Sequence, residues 1–274
     1  MDAVVNVRGL RMSYGPHEVL RGIDLEVWRG ETVALLGPNG AGKTTTLEVL
    51  EGFRLPSAGE VEVLGVDPAR GDDAWRARIG VVLQNWRDHP RWQVGKLLDH
   101  VAAHYPNPWH TGELLDALGL SGKATAKVGQ LSGGQRRRLD VALGVVGRPE
   151  LLFLDEPTTG FDPEARREFH DLVRGLDTTI LLTTHDLAEA ERLADRITVL
   201  VEGHVAVSGT PAELAAAVRA PSRVRWRGGC ELTDDPSRLA WELHQRYGGP
   251  VPDLEIRRPT LEESYLSLID RSAA

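Results

Sequence analysis

A single cysteine, Cys230, in 274 residues excludes an internal disulfide framework and fits a reducing compartment. Lysine is scarce too: 4 against 28 arginines among the 32 basic residues, so few positions rely on it. Bases are outnumbered by the 40 acids, and the net charge of −8 argues against a broad basic surface for nucleic acid. No apolar run approaches the roughly 18–20 residues that a membrane helix needs. The longest are Thr32–Leu36, Leu151–Leu154, Thr179–Leu182 and Ile197–Val201. Met1–Val5 lacks the basic flank and apolar core of a secretory signal, and no 20–50-residue repeat or low-complexity tract is visible. The chain is therefore expected in the cytoplasm; work at a membrane requires something else to bring it there.

What is present is ordinary globular composition, 41% hydrophobic and 26% charged, long enough for one large domain or a domain with a small appendage. Residues 3–36 alternate strand-like runs with turn residues and end in an apolar strand. A glycine-rich loop follows, then a helical stretch from Thr44 to Glu51. Residues 60–64 and 79–83 read as strands, and 94–147 switch to helical periodicity. Two apolar strand runs flanking the helix Pro163–Leu176 give the βαβ pattern of a parallel sheet. Proline and glycine cluster at Gly209–Pro211 and at Pro221. The expected organisation is a main domain over 1–220, with a helical part at about 86–148, and a small α/β extension over 221–274. That extension reads as strand, helix (Arg238–Tyr247), strand and final short helix.

Three segments carry chemistry. Gly37-Pro38-Asn39-Gly40-Ala41-Gly42-Lys43-Thr44 fits G-x-x-x-x-G-K-[ST] directly after a strand and at the start of a helix, with Thr45 next in line. Glycines let backbone N–H groups converge on phosphate oxygens, and the helix N-terminus adds partial positive charge. Lys43 is expected to reach the β- and γ-phosphates of a nucleoside triphosphate, and the Thr44 hydroxyl to ligate Mg²⁺. Leu151–Pro157 is an apolar strand ending in two acids, whose desolvation needs a cation or a catalytic role to offset it. Asp155 suits the Mg²⁺ shell and Glu156 suits polarising the attacking water, while capping of the next helix is the bland alternative. Leu131-Ser132-Gly133-Gly134-Gln135 opens a helix rich in arginine, a helix cap or a second anion site.

That pentapeptide resembles the signature of ATP-binding cassette (ABC) ATPases. Ser132 stands 89 residues after Lys43 and 23 before Asp155, an order and spacing similar to that family. The resemblance implies the α/β fold of a P-loop cassette: a mixed core sheet with helices, an antiparallel β subdomain and a helical subdomain. It also implies ATP hydrolysis by two cassettes paired head to tail, each closing Ser132–Gln135 over the partner's nucleotide. Residue by residue, Tyr14 resembles the aromatic that stacks on adenine, although a lone tyrosine is more often packing. Gln84 resembles the glutamine that contacts Mg²⁺ and the attacking water and senses the membrane partner. Asp162 resembles the acid that communicates across the dimer, and His185 the switch histidine at the γ-phosphate. Phe161 stands where leucine is usual. Trp86–Val94 replaces the usual Leu-Thr-Val where a membrane partner docks, so Trp86 and Trp92 are docking anchors or local packing.

Near the C-terminus, Pro259-Thr260-Leu261-Glu262-Glu263-Ser264-Tyr265-Leu266 is similar to the ending of drug-exporter-type subunits, of the daunorubicin resistance kind, though Thr260 with Glu263 is also a plain capping box. The resemblance implies an ATPase subunit working on integral membrane subunits, with a second cassette, identical or paralogous. No nucleic acid is expected as a partner, and no solute-binding protein if the system is an exporter. An importer subunit is the nearest alternative. An ABC protein acting on ribosomes or DNA, or a nucleotide-binding regulator without turnover, stands further off.

Overall fold

The computed structural model describes residues 2–83, 89–217 and 222–257. The chain divides into two compact units, Met1–Ser208 and Gly209–Ala274. The division falls at the start of the Gly209–Pro211 cluster, ahead of the helix Pro211–Ala217, rather than after it at residue 220.

The first unit begins with a long hairpin, β1 (Ala3–Tyr14) and β2 (His17–Trp28), turned at Gly15 with φ of 59°. Buried and exposed positions mix along both strands, as expected of an antiparallel sheet with one face on the core. After β3 (Thr32–Leu36) and α1 (Lys43–Leu50) comes β4 (Ala58–Val63), which pairs antiparallel with β1 to give the order β2-β1-β4. Next follow α2 (Asp73–Arg76), β5 (Ile79–Val82), α3 (Val94–Ala102), α4 (Thr111–Ala117) and α5 (Gly133–Val145). The helical stretch expected over 94–147 is thus three helices, joined in part by 3₁₀ turns at Ser121–Lys123 and Val128–Gln130. β6 (Leu151–Asp155), α6 (Pro163–Arg174), β7 (Thr179–Thr184), α7 (Leu187–Leu193), β8 (Arg196–Val201) and β9 (His204–Gly209) complete the run.

The core sheet has the order β5-β6-β7-β3-β8-β9, and its first five strands are parallel. β9 returns beside β8 through Glu202-Gly203, both at positive φ, the geometry a two-residue hairpin turn demands. β6 and β7 are buried at every position, which is why they read as unbroken apolar runs: a parallel sheet is covered on both faces. Val5, Leu10 and Ile23 of the antiparallel sheet share one hydrophobic cluster with Leu35, Leu47, Phe153 and Leu181 of the core layers. That shared core fixes the strand that feeds the glycine-rich loop.

The second unit holds α8 (Pro211–Ala217), then β10 (Ser222–Trp226), β11 (Gly229–Thr233), α9 (Pro236–Tyr247) and β12 (Glu255–Arg257). Its sheet is antiparallel, in the order β11-β10-β12. Helix α9 starts at Pro236, two residues earlier than Arg238, because Asp235 caps it and proline suits the first helical position. The expected final helix, with Pro259–Leu266, lies outside the described residues, as do Pro221 and the segment Gln84-Asn85-Trp86-Arg87-Asp88.

Candidate active site

In an open parallel sheet, loops at the carboxyl ends of neighbouring strands meet in one crevice. Here β6, β7 and β3 are adjacent, so the acids after Leu154, the histidine after β7 and the glycine-rich loop after β3 come together although 120 residues separate Leu36 from Glu156. A Cβ on Gly37 would lie 2.5 Å from the Leu200 carbonyl oxygen, and Gly42 adopts φ of 102° with Leu20 pressed against it. The loop can take this path only with glycine at both places. Helix α1 then starts without a side-chain cap, leaving its first turn to an anion.

Lys43 is the cation of this crevice, its side chain 4% exposed. Its ammonium donates to the carbonyls of Gly37 (2.9 Å) and Pro38 (3.1 Å) and lies 3.3 Å from Glu156 Oε1. Thr44 Oγ1 donates toward Asp155 Oδ2 at 3.2 Å, so a hydroxyl and a carboxylate converge as hard oxygen ligands of the kind Mg²⁺ accepts, the rest of its shell being left to water and phosphate. Thr183 of β7 braces both acids: its hydroxyl donates to Asp155 Oδ1 (2.6 Å) and accepts from the Glu156 amide (2.9 Å).

Glu156 turns the chain sharply, with φ of 41°, a left-handed value uncommon for a side chain larger than glycine's. Its Oε2 accepts from Thr159 Oγ1 (3.2 Å) and lies 3.3 Å from His185 Nδ1. Burial pushes this carboxyl up, but the Lys43 ammonium, His185 and the Thr159 hydroxyl together outweigh it and hold it below the usual carboxylate range. A carboxylate so held stays ionised at neutral pH. His185 is half exposed, 51% at its side chain, and faces the same crevice. A cavity of about 430 Å³ is lined by Asn39, Gly40, Lys43, Thr44, Glu156 and His185, with Thr45 also on its wall.

The other expected site residues sit elsewhere in the unit. Ser132 caps α5 reciprocally with Gln135: Ser132 Oγ accepts from the Gln135 amide (3.3 Å), and Gln135 Oε1 accepts from the Ser132 amide (3.2 Å). Ser132 and Gly133 are exposed, Gly134 half-buried, and none of them lines the Lys43 cavity. Asp162 caps α6, accepting from the amides of Glu164 (3.0 Å) and Ala165 (2.9 Å). Phe161 packs edge-on against Phe169. Tyr14 is 41% exposed, with the Arg54 guanidinium 5.0 Å from its ring centre. Trp92 lies against the rings of His89 and His100. Gln84 lies outside the described residues.

Two residues of this neighbourhood escaped the sequence reading. Thr183 looks like one more β-branched strand residue. Arg137, the middle of three consecutive arginines, is buried and donates to the main-chain carbonyls of Pro157 (2.9 Å), Leu83 (2.6 Å) and Asp155 (3.2 Å). Its only sequence signal is position, four residues before buried Val141 on the same helix.

Comparison with known proteins agrees with this geometry. A family profile described as ABC transporter matches residues 20–159. Over 97% of its length the chain is 38% identical to the daunorubicin resistance ATP-binding protein DrrA3 of Streptomyces coeruleorubidus, covering 96% of that protein. Over 77% of its length it is 42% identical to Nod factor export ATP-binding protein I of Ralstonia nicotianae, covering 68% of it. Among solved structures it superimposes on the ATP-binding subunit of an ABC transporter with a TM-score of 0.72 at 24% identity, over 97% of this chain and 99% of that one. A dimeric ATP-binding cassette in a post-hydrolysis state with ADP and phosphate matches at a TM-score of 0.67 and 25% identity, over 75% and 98%. With the glycine-rich loop, paired acids and histidine gathered at the ends of adjacent strands, the chain belongs to the ABC transporter family as one of its ATP-hydrolysing ATP-binding proteins.

Proposed function

We propose that this chain is the ATPase subunit of an exporter of drug-like or hydrophobic compounds, acting as one of two cassettes beneath separate membrane subunits. The observation that carries the catalytic part is Glu156, whose two carboxylate oxygens lie 3.3 Å from Lys43 and from His185. The export part is supported by 38% identity, over nearly the whole of both chains, to a protein named for daunorubicin resistance.

In this reading ATP lies along the glycine-rich loop, Gly37 to Thr45, with adenine against Tyr14. Lys43 exchanges the Gly37 and Pro38 carbonyls for β- and γ-phosphate oxygens. Thr44 and Asp155, with Gln84, would hold Mg²⁺, which would supply charge neutralisation on the phosphates. The ionised Glu156 orients the attacking water and accepts its proton as the new P–O bond forms and the bond to ADP breaks. His185 donates to the γ-phosphate and steadies Glu156. Ser132–Gln135 close over the partner cassette's ATP, and Asp162, at the head of α6, meets the partner near the same interface. The nucleotide is thus shared between two chains, and closure of the pair moves the membrane subunits through the segment that follows Leu83. The chain then works on the cytoplasmic face of the membrane, without a nucleic-acid or solute-binding partner.

A mild-detergent pull-down of the tagged Glu156→Gln chain from its own cells, with Mg·ATP, tests this assignment. Co-purification of a polytopic membrane protein alone is expected. A solute-binding protein in the complex would make the system an importer, and recovery with ribosomes or DNA-bound proteins would overturn a transport role.

A further inference from the structure

A left-handed backbone at a residue other than glycine is strained and persists only where its surroundings over-determine it. Glu156 is such a residue, and the peptide groups around it are pinned from two sides. The Asp155–Glu156 peptide has its N–H held by Thr183 Oγ1 (2.9 Å) and its carbonyl by Arg137 Nη2 (3.2 Å). Farther along the turn, the carbonyl of Pro157 accepts from Arg137 Nε (2.9 Å). Relaxing Glu156 to an ordinary φ requires rotating the first of these peptide planes, which breaks the Thr183 and Arg137 bonds together. The third arm of the guanidinium, Nη1, donates to the carbonyl of Leu83, the last described residue before the Gln84 segment (2.6 Å).

Arg137 itself belongs to α5, two residues past Gln135 of the signature, on a continuous helix whose first turn is locked by the Ser132–Gln135 box. Only arginine presents donors in a planar fork able to reach three carbonyls at once; a lysine ammonium is a point charge on a flexible stem. The guanidinium is tolerated in the interior because carbonyl oxygens surround it and Asp140 Oδ2 lies 3.9 Å away.

We propose that Arg137 is the positioning residue that holds Glu156 in its left-handed conformation and makes that conformation answer to the signature helix of the same chain. A displacement of α5 when Ser132–Gln135 engage the partner's nucleotide is carried by one rigid helix and three hydrogen bonds to the chain's own hydrolytic carboxylate. One occupied site then sets the geometry of the other. This rests on the reading of Glu156 as the carboxylate that polarises water.

Steady-state ATPase assays, Mg·ATP binding and thermal unfolding on Arg137→Lys, Arg137→Gln, Glu156→Gln, Glu156→Gly and the Arg137→Gln/Glu156→Gly pair test it. Arg137→Lys should lower kcat by about 10–100-fold, the scale of a misplaced catalytic group, with the Kd of Mg·ATP unchanged. Arg138→Gln, a neighbour on α5 paired with Glu168, should leave kcat as it was. Arg137→Gln should lower Tm by about 5 °C in the wild-type background. The loss should be larger in the Glu156→Gly background: in wild type, relief of the strain at Glu156 offsets part of the lost hydrogen bonding, whereas glycine adopts positive φ unaided and has no strain to relieve. Wild-type kcat in Arg137→Lys, a kcat loss matched by an equal loss of ATP affinity, or equal Tm losses in the two backgrounds would each overturn the proposal. Undiminished turnover in Glu156→Gln would instead remove the catalytic reading, and the Tm comparison would still decide the clamp.

Discussion

Two helices of the first unit begin in glycine-rich sequence and treat their first turns in opposite ways. Helix α1 starts from Gly42 at φ of 102° with no side-chain cap, and a buried lysine waits beside it. Helix α5 starts from Ser132, which closes its own N-terminus through Gln135 and faces solvent. A helix N-terminus left open by its own chain is prepared for a ligand of that chain, with the charge to hold it already in place. A helix N-terminus already satisfied has no such deficit. Its glycines leave backbone accessible, but Lys43, Asp155 and His185 belong to the other site. In the function proposed above the difference has a use: the first end serves this chain's own nucleotide, and the second serves a phosphate that another chain brings.

Changes at the two helices should separate these roles. Lys43→Ala removes the buried cation and should weaken ATP binding by about 100-fold, the upper range for a charged hydrogen bond, as read by nucleotide titration. Binding within a few-fold of wild type would break the distinction between the open and the self-capped end. A smaller effect is expected at α5. Ser132→Ala removes the cap and should cost about 1 kcal/mol of stability, while ATP affinity of the isolated chain stays as it was. Any loss should appear in turnover of the paired cassettes; equal loss of affinity in the isolated chain would place Ser132 in its own chain's site.

The far end of α1 sharpens the contrast further. Glu51 sits buried at the C-cap, where the helix dipole disfavours negative charge, and its carboxyl is pushed up to about 8 by burial first, then by Asp155 and Glu48. The folded state therefore holds a proton that the unfolded chain releases near pH 4.5. Stability from this group is fully present below that value and declines as pH rises toward 8, by up to about 1.4 kcal/mol per unit. Glu51→Gln should flatten the decline in Tm between pH 5 and 8 and raise Tm at pH 8; an unchanged slope would mean that Glu51 is ionised in the fold.

The glycine-rich loop, the acids after Leu154 and the arrangement of sheet and helices were legible in sequence because each depends on local pattern: glycines where backbone must approach a phosphate, and unbroken apolar strands where a sheet is covered on both faces. The order β6-β7-β3 was not, since strand neighbours are chosen by packing across the domain rather than along the chain. For the same reason Thr183 gave no signal, and Arg137 only that of its place on α5. Their partners are main-chain carbonyls, amides and a carboxylate brought near by topology, and a carbonyl has no letter in the sequence. Ser132 and Asp162 were read as residues facing a partner chain; within this chain both close helix N-termini, a task that the same side chains perform in any helix.

The position of β3 in its sheet has a consequence for synthesis. Val33 pairs with Leu181 on one side and Arg196 on the other, so the strand that carries the phosphate loop is made early and flanked late. At ribosomal rates of about 5–20 residues per second, roughly 7–30 seconds pass between the emergence of β3 and that of β7. During that interval the nascent chain holds an apolar strand with both edges open, the kind of segment that aggregates or engages chaperones. The contacts that complete the nucleotide site, Lys43 with Glu156 and Thr44 with Asp155, join residues more than a hundred positions apart, so competence to bind ATP comes late in folding rather than as a nucleus for it.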